Sequence, residues 1–463
     1  VSTATGGEPQ VTTTIDRDDG SDSSPIGLHP SPGNAQPHVA IVGGGYAGMA
    51  AATELARGGM RVTVFEAGRV LGGRARRVEF DGVRLDNGLH ILLGAYRETL
   101  RLMALVKRPD ETNGLLRLPL QLTIHPDFQL RSSHLPAPLH LLTGLLRARG
   151  LSMGDRIAAL RFMAWARRIK FRLPADLTVD GLLRSQRQPD AVSRFLWNPL
   201  CISALNTPPP RASAQVFLNV LRDSLNGSRT DSDLLLPTID FSALFPERAA
   251  RYVQALGGNV RLGAAVETLT RNDGGFALGT SGERFSHVIV AVSPHHVGAL
   301  LSPHAELATV VRKIDRFTYQ PIYSVYLQYA RGTRLPFRMG GLEAVYSQWL
   351  FDRGQLCGQD GLIGVVISAG GAHQELARDE LARAVHAELR ENFPALGEPL
   401  WQQVIAEKRA TFSCSPGLVR PDNATPVTGL FLAGDYTASD YPATIESAVR
   451  SGVRAANLVL QNA

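Results

Sequence analysis

His38-Val39-Ala40-Ile41-Val42-Gly43-Gly44-Gly45-Tyr46-Ala47-Gly48-Met49 leads through an alanine-rich stretch to Arg61-Val62-Thr63-Val64-Phe65-Glu66. Its first five residues are small or β-branched and predict a strand over 38–42. Ala50, Ala51 and Leu55 then predict a helix over 49–57 that stops at Gly58-Gly59, and 61–65 predicts a second strand closing at Glu66. Strand, glycine turn, helix and strand within about 30 residues make a βαβ unit. Gly43, Gly45 and Gly48 give the spacing G-x-G-x-x-G. The first glycine permits the tight turn, the second lets backbone approach a pyrophosphate, and the third permits close packing. The helix N-terminus faces the phosphate charge. Glu66 is positioned to accept hydrogen bonds from ribose hydroxyls, and its charge repels a 2′-phosphate. The stretch therefore reads as a dinucleotide site that disfavours NADP.

Working outward, 463 residues with 44% hydrophobic and 19% charged content describe a globular chain with a sizeable core. At roughly 150 residues per domain this is about three domain-equivalents, which excludes a mini-protein, a fibre or a coiled coil. Net charge is +6, yet only Lys107, Lys170, Lys313 and Lys408 of the 48 basic residues are lysine. That arginine bias reflects base composition, and with no recognised motif or aromatic platform beside it we expect no nucleic-acid partner. Residues 1–37 are polar, lack aromatics and carry one Arg against five acidic residues. They predict a disordered tail without a secretory signal, and they leave a more basic body. Cys201, Cys357 and Cys414 lie far apart without metal spacing, so we expect a reduced compartment, no disulfide and no metal. No run approaches the ~20 apolar residues of a membrane span; the best, 361–372, is short, glycine-rich and reads as a buried strand.

Further along, 120–132 alternates around His125-Pro126-Asp127 and predicts a hairpin. Residues 139–172 predict two helices, and a helical stretch continues to about 233. A helix and strand follow within 245–266, then a strand over 287–292 ended by Pro294. Strands over 319–327 and 362–368 belong to a second sheet, with a helix over 374–392. The block 430–460 is strand, glycine turn and long helix again.

Three motifs then resemble the glutathione-reductase-like flavoproteins. Gly72-Gly73-Arg74 matches their G-G-R signature, which implies glycines close to a flavin and an arginine near the diphosphate. Phe431-Leu432-Ala433-Gly434-Asp435 matches the block whose aspartate holds the ribityl chain or diphosphate. The segment from Gly257 to Leu262, followed by Val266, is similar to the adenine-side strand. A helix starting near 443–446, with Ile445 at its mouth, would point its positive end at the flavin edge. The resemblance implies FAD as cofactor and an α/β architecture: a Rossmann FAD-binding domain (38–100, 234–300 and 405–463) with an inserted α+β substrate domain (101–233 and 301–404).

Finer strings select a branch. Asp86-Asn87-Gly88-Leu89-His90 and Ala443-Thr444-Ile445-Glu446-Ser447 resemble the phytoene-desaturase-like proteins, while Thr444 stands where amine oxidases usually place a cage tyrosine. With Arg97-Glu98-Thr99-Leu100, Leu196-Trp197-Asn198-Pro199-Leu200-Cys201, Asn206-Thr207-Pro208-Pro209 and the run 212–223, the chain resembles the squalene-associated FAD-dependent desaturases, the hydroxysqualene dehydroxylases of bacterial hopanoid synthesis. Leu89 departs from the glutamine expected there.

That resemblance implies reductive removal of an allylic hydroxyl from a C30 isoprenoid alcohol, with hydride from reduced flavin. Desaturation of a polyprenoid is the alternative, and amine oxidation a more distant one. An acid must protonate the leaving group. His90 and Glu446 are the candidates, with Tyr96, Tyr436 and Tyr441 as further donors or cation-facing rings. The apolar substrate implies a cytoplasmic enzyme, peripheral on the inner face of the membrane and near other pathway enzymes. A basic helix from Asp155, with Ala158, Phe162, Trp165 and Ile169 on one stripe, would either contact an anionic surface or pack on its own domain with its arginines solvated.

Overall fold

The computed structural model describes residues 37–272, 274–279 and 283–462; the tail expected at 1–37 lies outside them except for its last residue. His38–Val42 is the middle strand of a five-stranded parallel sheet, and all five of its residues are buried. Arg61–Glu66 and then Asn259–Leu262 lie to one side, His287–Val290 and then Leu430–Leu432 to the other. Ile41 is in register with both Val64 and Ile289. The helix after the glycine turn spans Tyr46–Arg57, three residues earlier than the apolar pattern suggested, because Gly45 O already accepts the Met49 amide at 2.9 Å. Every residue from Tyr46 to Ala56 is buried, since the closing helix Ile445–Asn462 covers the side turned away from the sheet. Five alanines and a glycine make such close approach from two sides possible.

The second sheet has seven strands, in the order Trp401–Phe412, Tyr319–Gln328, Leu362–Ser368, Trp349–Asp352, Met339–Leu342, Gln121–His125 and Phe128–Arg131. Leu362–Ser368 is buried at all seven positions, as its unbroken apolar run requires. Helix Arg378–Asn392 sets Leu381, Val385 and Leu389 against this sheet, and the first residues expected in that helix form a separate 3₁₀ turn, Ala372–Glu375.

Two expected domain boundaries are displaced. Trp401–Phe412 is one strand hydrogen-bonded along Tyr319–Gln328, so a break at 404/405 would cut a continuous ladder. Leu92–Leu93, Leu234–Pro237 and Leu115–Leu118 form a three-stranded sheet that joins segments assigned to opposite sides.

The basic helix forms and packs on its own domain. Met153–Arg168 starts at a Ser152–Asp155 capping box and ends at Ile169, after which Lys170 and Phe171 take positive φ. Its buried face is Ala159, Phe162 and Ala166, with Phe162 packed against Trp197 at 4.9 Å between ring centroids. Of the expected stripe Phe162 is core, while Trp165 and Ile169 are half-buried against the same cluster and Ala158 is half-buried. Apolar groups that do reach solvent here are Leu135, Leu139, Leu146, Met153 and Ile157. Exposed Arg147 and Arg149 stand among them, and Arg156 ties the two helices by donating to Leu146 O and Ala148 O, each at 2.7 Å.

Candidate active site

The carboxyl ends of the parallel strands open on a cavity of about 710 Å³. Gly43, Gly45, Glu66, Gly72, Gly73, Arg74, Val266, Gly434, Asp435 and Ile445 all line it, so residues from four separate stretches of sequence converge on one space. Gly48 does not. A Cβ there would fall 1.9 Å from Gly43 O, so Gly48 is needed for the helix to start directly against the turn. The two glycine loops are zipped together by a Gly45–Gly72 bridge and by Gly72 N donating to Gly44 O at 3.0 Å. Where Gly45 faces Gly73 nothing lies nearer than 3.8 Å to a Cβ placed on Gly45, leaving a side-chain-free cradle beside a helix N-terminus.

Glu66 is held in place by its neighbours. Its carboxylate accepts from Gly44 N and from Gly68 N, both at 2.7 Å, and retains free lone pairs on the cavity side. Arg74 donates to Asp435 at 2.6 Å and to Ala410 O at 2.7 Å. Burial depresses the guanidinium pKa, but Asp435 more than offsets this, so the net shift is upward. A second helix N-terminus, that of Ile445–Asn462, enters the same cavity through Thr444 and Ile445. Two helix N-termini, a fixed carboxylate and a bare glycine cradle together fit an extended dinucleotide with a diphosphate at its centre.

The cavity's other half is apolar. Leu89, Ile91, Ile322, Met339, Trp349, Phe351 and Val366 form its walls, all but the first two from the second sheet. Leu89, where glutamine was expected, packs against Gly364 of that sheet, so an apolar side chain suits its place. The loop carrying it is clamped from behind. The Asp86 carboxylate accepts from Phe241 N at 2.9 Å and pairs with Arg353 at 3.3 Å, while Tyr326 donates to Asp86 O at 2.7 Å. Burial raises the Asp86 pKa to about 6 against the opposing influence of Arg353. Nothing in sequence spacing pointed to Arg353, Tyr326, Met339 or Trp349. They come from strands and a short helix that no motif links to the glycine loops.

Neither proposed acid is poised for proton donation. Glu446 is fully buried and does not line the cavity. It accepts from Glu98 N, Thr99 N, Thr99 Oγ1 and Arg450 Nε, and so caps helix Arg97–Val106. The capping role was invisible in sequence because it pairs residues nearly 350 positions apart. His90 does line the cavity, but burial lowers its pKa to about 4 and its Nε2 is enclosed without a partner, turned toward Gly88. A neutral imidazole keeps one N–H for hydrogen bonding but is far too weak an acid to protonate a leaving group at neutral pH. Its ring meets Phe241 edge-on at 5.2 Å, and it hydrogen-bonds the Arg74 backbone, which makes it a brace for the G-G-R turn. Of the three tyrosines only Tyr96 reaches the cavity, where it hydrogen-bonds Thr444 and burial keeps its phenol protonated. Tyr436 is fully buried beneath Gly434, and Tyr441 bonds Asp223.

A family model described as flavin containing amine oxidoreductase matches residues 46–460, and the chain belongs to that family. It is an FAD-dependent oxidoreductase. Among curated relatives, a hydroxysqualene dehydroxylase from Rhodopseudomonas palustris is 30% identical over 91% of this chain and 98% of its own. A 15-cis-phytoene desaturase from Glycine max is 25% identical over 92% of this chain and 80% of its own. Among solved structures, an oxidoreductase from Methanosarcina mazei superposes with a TM-score of 0.70 at 15% identity, over 90% of this chain and 99% of that one. Putrescine oxidase bound to putrescine gives 0.66 at 20% identity, over 92% and 99%. These two likenesses concern the fold. Among the described residues there is no candidate metal cluster and no helix long and apolar enough to cross a membrane.

Proposed function

We propose that this protein catalyses FAD-dependent reductive dehydroxylation of hydroxysqualene to squalene, within hopanoid or squalene biosynthesis. The observation that carries this reading is the division of one cavity into a dinucleotide cradle and an apolar chamber whose polar side chains are mainly hydroxyls and amides. FAD, when bound and reduced, supplies hydride from N5 to the carbon that has lost its hydroxyl. The chain's own residues do the rest. Leu89, Ile322, Met339, Phe351 and Val366 exclude water, so that an allylic cation formed beside them is not recaptured. Tyr96, its phenol kept protonated by burial and hydrogen-bonded to Thr444, would donate a hydrogen bond to the departing oxygen; the alcohol and the two-electron, two-proton reduced flavin together give hydrocarbon, water and oxidised flavin. Thr444 offers no aromatic cage for an amine.

Docking on the inner face of the cytoplasmic membrane belongs to this reading, because so apolar a substrate resides in a bilayer. The exposed group Leu135, Leu139, Leu146, Met153 and Ile157, with Arg147 and Arg149 among them, pairs apolar insertion with attraction to anionic lipid. Delivery by a neighbouring pathway enzyme would serve the same end.

Anaerobic single turnover tests the reaction. Prereduced protein mixed with hydroxysqualene is expected to reoxidise and to form an equal amount of squalene. Reduction of the oxidised protein by a polyprenoid would favour desaturation instead, and reduction by an amine would favour amine oxidation.

A further inference from the structure

A second, smaller cavity of about 180 Å³ lies beyond the apolar chamber, lined by Ile124, Phe195, Pro199, Ile202, Leu342 and Trp349, among others. Trp349 lines both spaces. So does helix Asn198–Leu205, which turns Asn198, Pro199 and Ile202 to the outer cavity and Ser203 and Ala204 to the inner one. The partition between them is therefore about one side chain thick. Gln348 completes it, since its Oε1 accepts from Ser368 N at 2.8 Å and its Nε2 donates to Ser368 O at 3.2 Å, while its side chain lines the outer space. Gln348 is thus pinned by two hydrogen bonds. The Trp349 ring has none: its indole N–H finds no partner among the described residues, and packing alone holds it.

The outer cavity is built for an apolar occupant with a polar mouth. Arg194 and Glu343 pair at its rim, and the Arg194 guanidinium lies 5.1 Å from the Phe195 ring. Arg194 and Phe195 sit on the π-helical turn Ser193–Trp197, a widened turn of the kind that often marks a functional position in a helix. Phe195 stacks on Phe128 at 5.7 Å, and Phe128 is the first residue of a strand whose next residue, Gln129, bridges to Arg149. The outer cavity consequently lies on the side of the molecule that carries the exposed apolar group.

We propose that Trp349 is a movable partition, and that the outer cavity receives the distal isoprene units of a chain whose reacting carbon lies in the inner chamber. This rests on the reading above only for the identity of the chain. A dinucleotide on the glycine cradle shares the larger space with the chain, and the annex extends the apolar lining past Trp349. Swinging the unpinned indole joins the two spaces, while Gln348 keeps Ser368 fixed. Chain length then becomes the property sensed at Trp349, independently of the chemistry at the flavin.

The test uses the oxidised holoenzyme, titrated with squalene and with a C15 prenyl alcohol while flavin absorbance and tryptophan emission are followed. Ile202→Trp and, separately, Leu342→Phe fill the outer cavity. Each is expected to weaken squalene binding about tenfold, while the C15 alcohol stays within about twofold of wild type. Trp349→Phe should retain the flavin response to squalene but lose most of the ligand-induced change in tryptophan emission. Equal weakening of both ligands, unchanged squalene binding in both filled variants, or a wild type that binds neither ligand overturns the proposal. If squalene binds with this length dependence but single turnover fails, the reaction assignment falls and the annex stands.

Discussion

Arg74 and Asp435, 361 residues apart in sequence, meet at 2.6 Å on the wall of the large cavity. One belongs to the G-G-R turn after the first βαβ unit, the other to the turn after the last parallel strand. Removing Asp435 leaves the guanidinium facing the cavity with only Ala410 O as a close partner. Asp435→Ala should therefore lose FAD affinity and lower the apo-protein melting temperature, and the double variant with Arg74→Ala should cost less than the two single changes added together. A coupling of about 0.5–3 kcal/mol is expected from a denaturation-based double-mutant cycle. Strict additivity would show that the pair is incidental.

Glu66 organises two backbone amides before any ligand arrives. Glu66→Ala frees both Gly44 N and Gly68 N, so the loss should exceed that of a single ribose contact. Titration of the apo-protein with FAD is expected to show affinity reduced more than about tenfold, with an unchanged far-ultraviolet dichroism spectrum. Unaltered affinity would remove Glu66 from the site.

Glu446 acts on stability. Glu446→Ala leaves the Glu98 and Thr99 amides and Arg450 without their buried acceptor, and should destabilise the fold by about 2–4 kcal/mol in urea denaturation. Turnover per folded, flavin-loaded molecule should stay within about tenfold of wild type, which corresponds to ~1.4 kcal/mol. A stable but inactive variant would restore Glu446 as a chemical participant.

His90 contributes a pH dependence of known sign. Its folded pKa, about 4, lies below the ordinary 6.5, so between these values the unfolded chain binds a proton that the folded chain refuses. Its contribution is complete above pH 6.5 and falls away as pH drops toward 4. His90→Asn, which keeps a donor near the Arg74 carbonyl, should flatten this part of the stability profile. Asp86, raised to about 6, works in the opposite sense between its two values, losing stability as pH rises, so the comparison must be made against wild type over one window. A profile unchanged in the variant would show that His90 does not titrate there.

Membrane docking is tested where the apolar side chains emerge. Wild type should sediment with anionic vesicles, more strongly at low salt, and replacing Leu139, Leu146, Met153 and Ile157 with serine should weaken this about tenfold or more. Glutamine at Arg167, Arg168, Lys170 and Arg172 should weaken it less, because those residues end a helix that turns Phe162 and Ala166 into the core. The reverse ranking would return the docking surface to that helix.

The parallel sheet was legible because its signals are local. A β-branched run, a glycine turn and a closing carboxylate each depend on neighbours in sequence, as do the G-G-R and Gly434-Asp435 turns. What escaped was set by distant partners. Whether Glu446 faces a ligand or caps Arg97–Val106 depends on where that helix docks, and whether Phe162 meets lipid or Trp197 depends on a helix turn some 35 residues away. The apolar chamber was equally hidden, since alternation along Tyr319–Gln328 or Leu362–Ser368 tells that a face is buried without telling what it faces.

Helix Tyr46–Arg57, buried on every side, carries a consequence for biosynthesis. Its outer cover, Ile445–Asn462, is made long after it, as are the Gly434-Asp435 turn and the helix mouth at Ile445. The nascent chain must therefore hold an alanine-rich apolar helix unsheathed while nearly 400 further residues are translated, exposed meanwhile to chaperones and proteases. Loading of the cofactor is thereby deferred until Ile445–Asn462 has been made, and a chain truncated before Ile445 should be cleared from the cell without ever turning yellow.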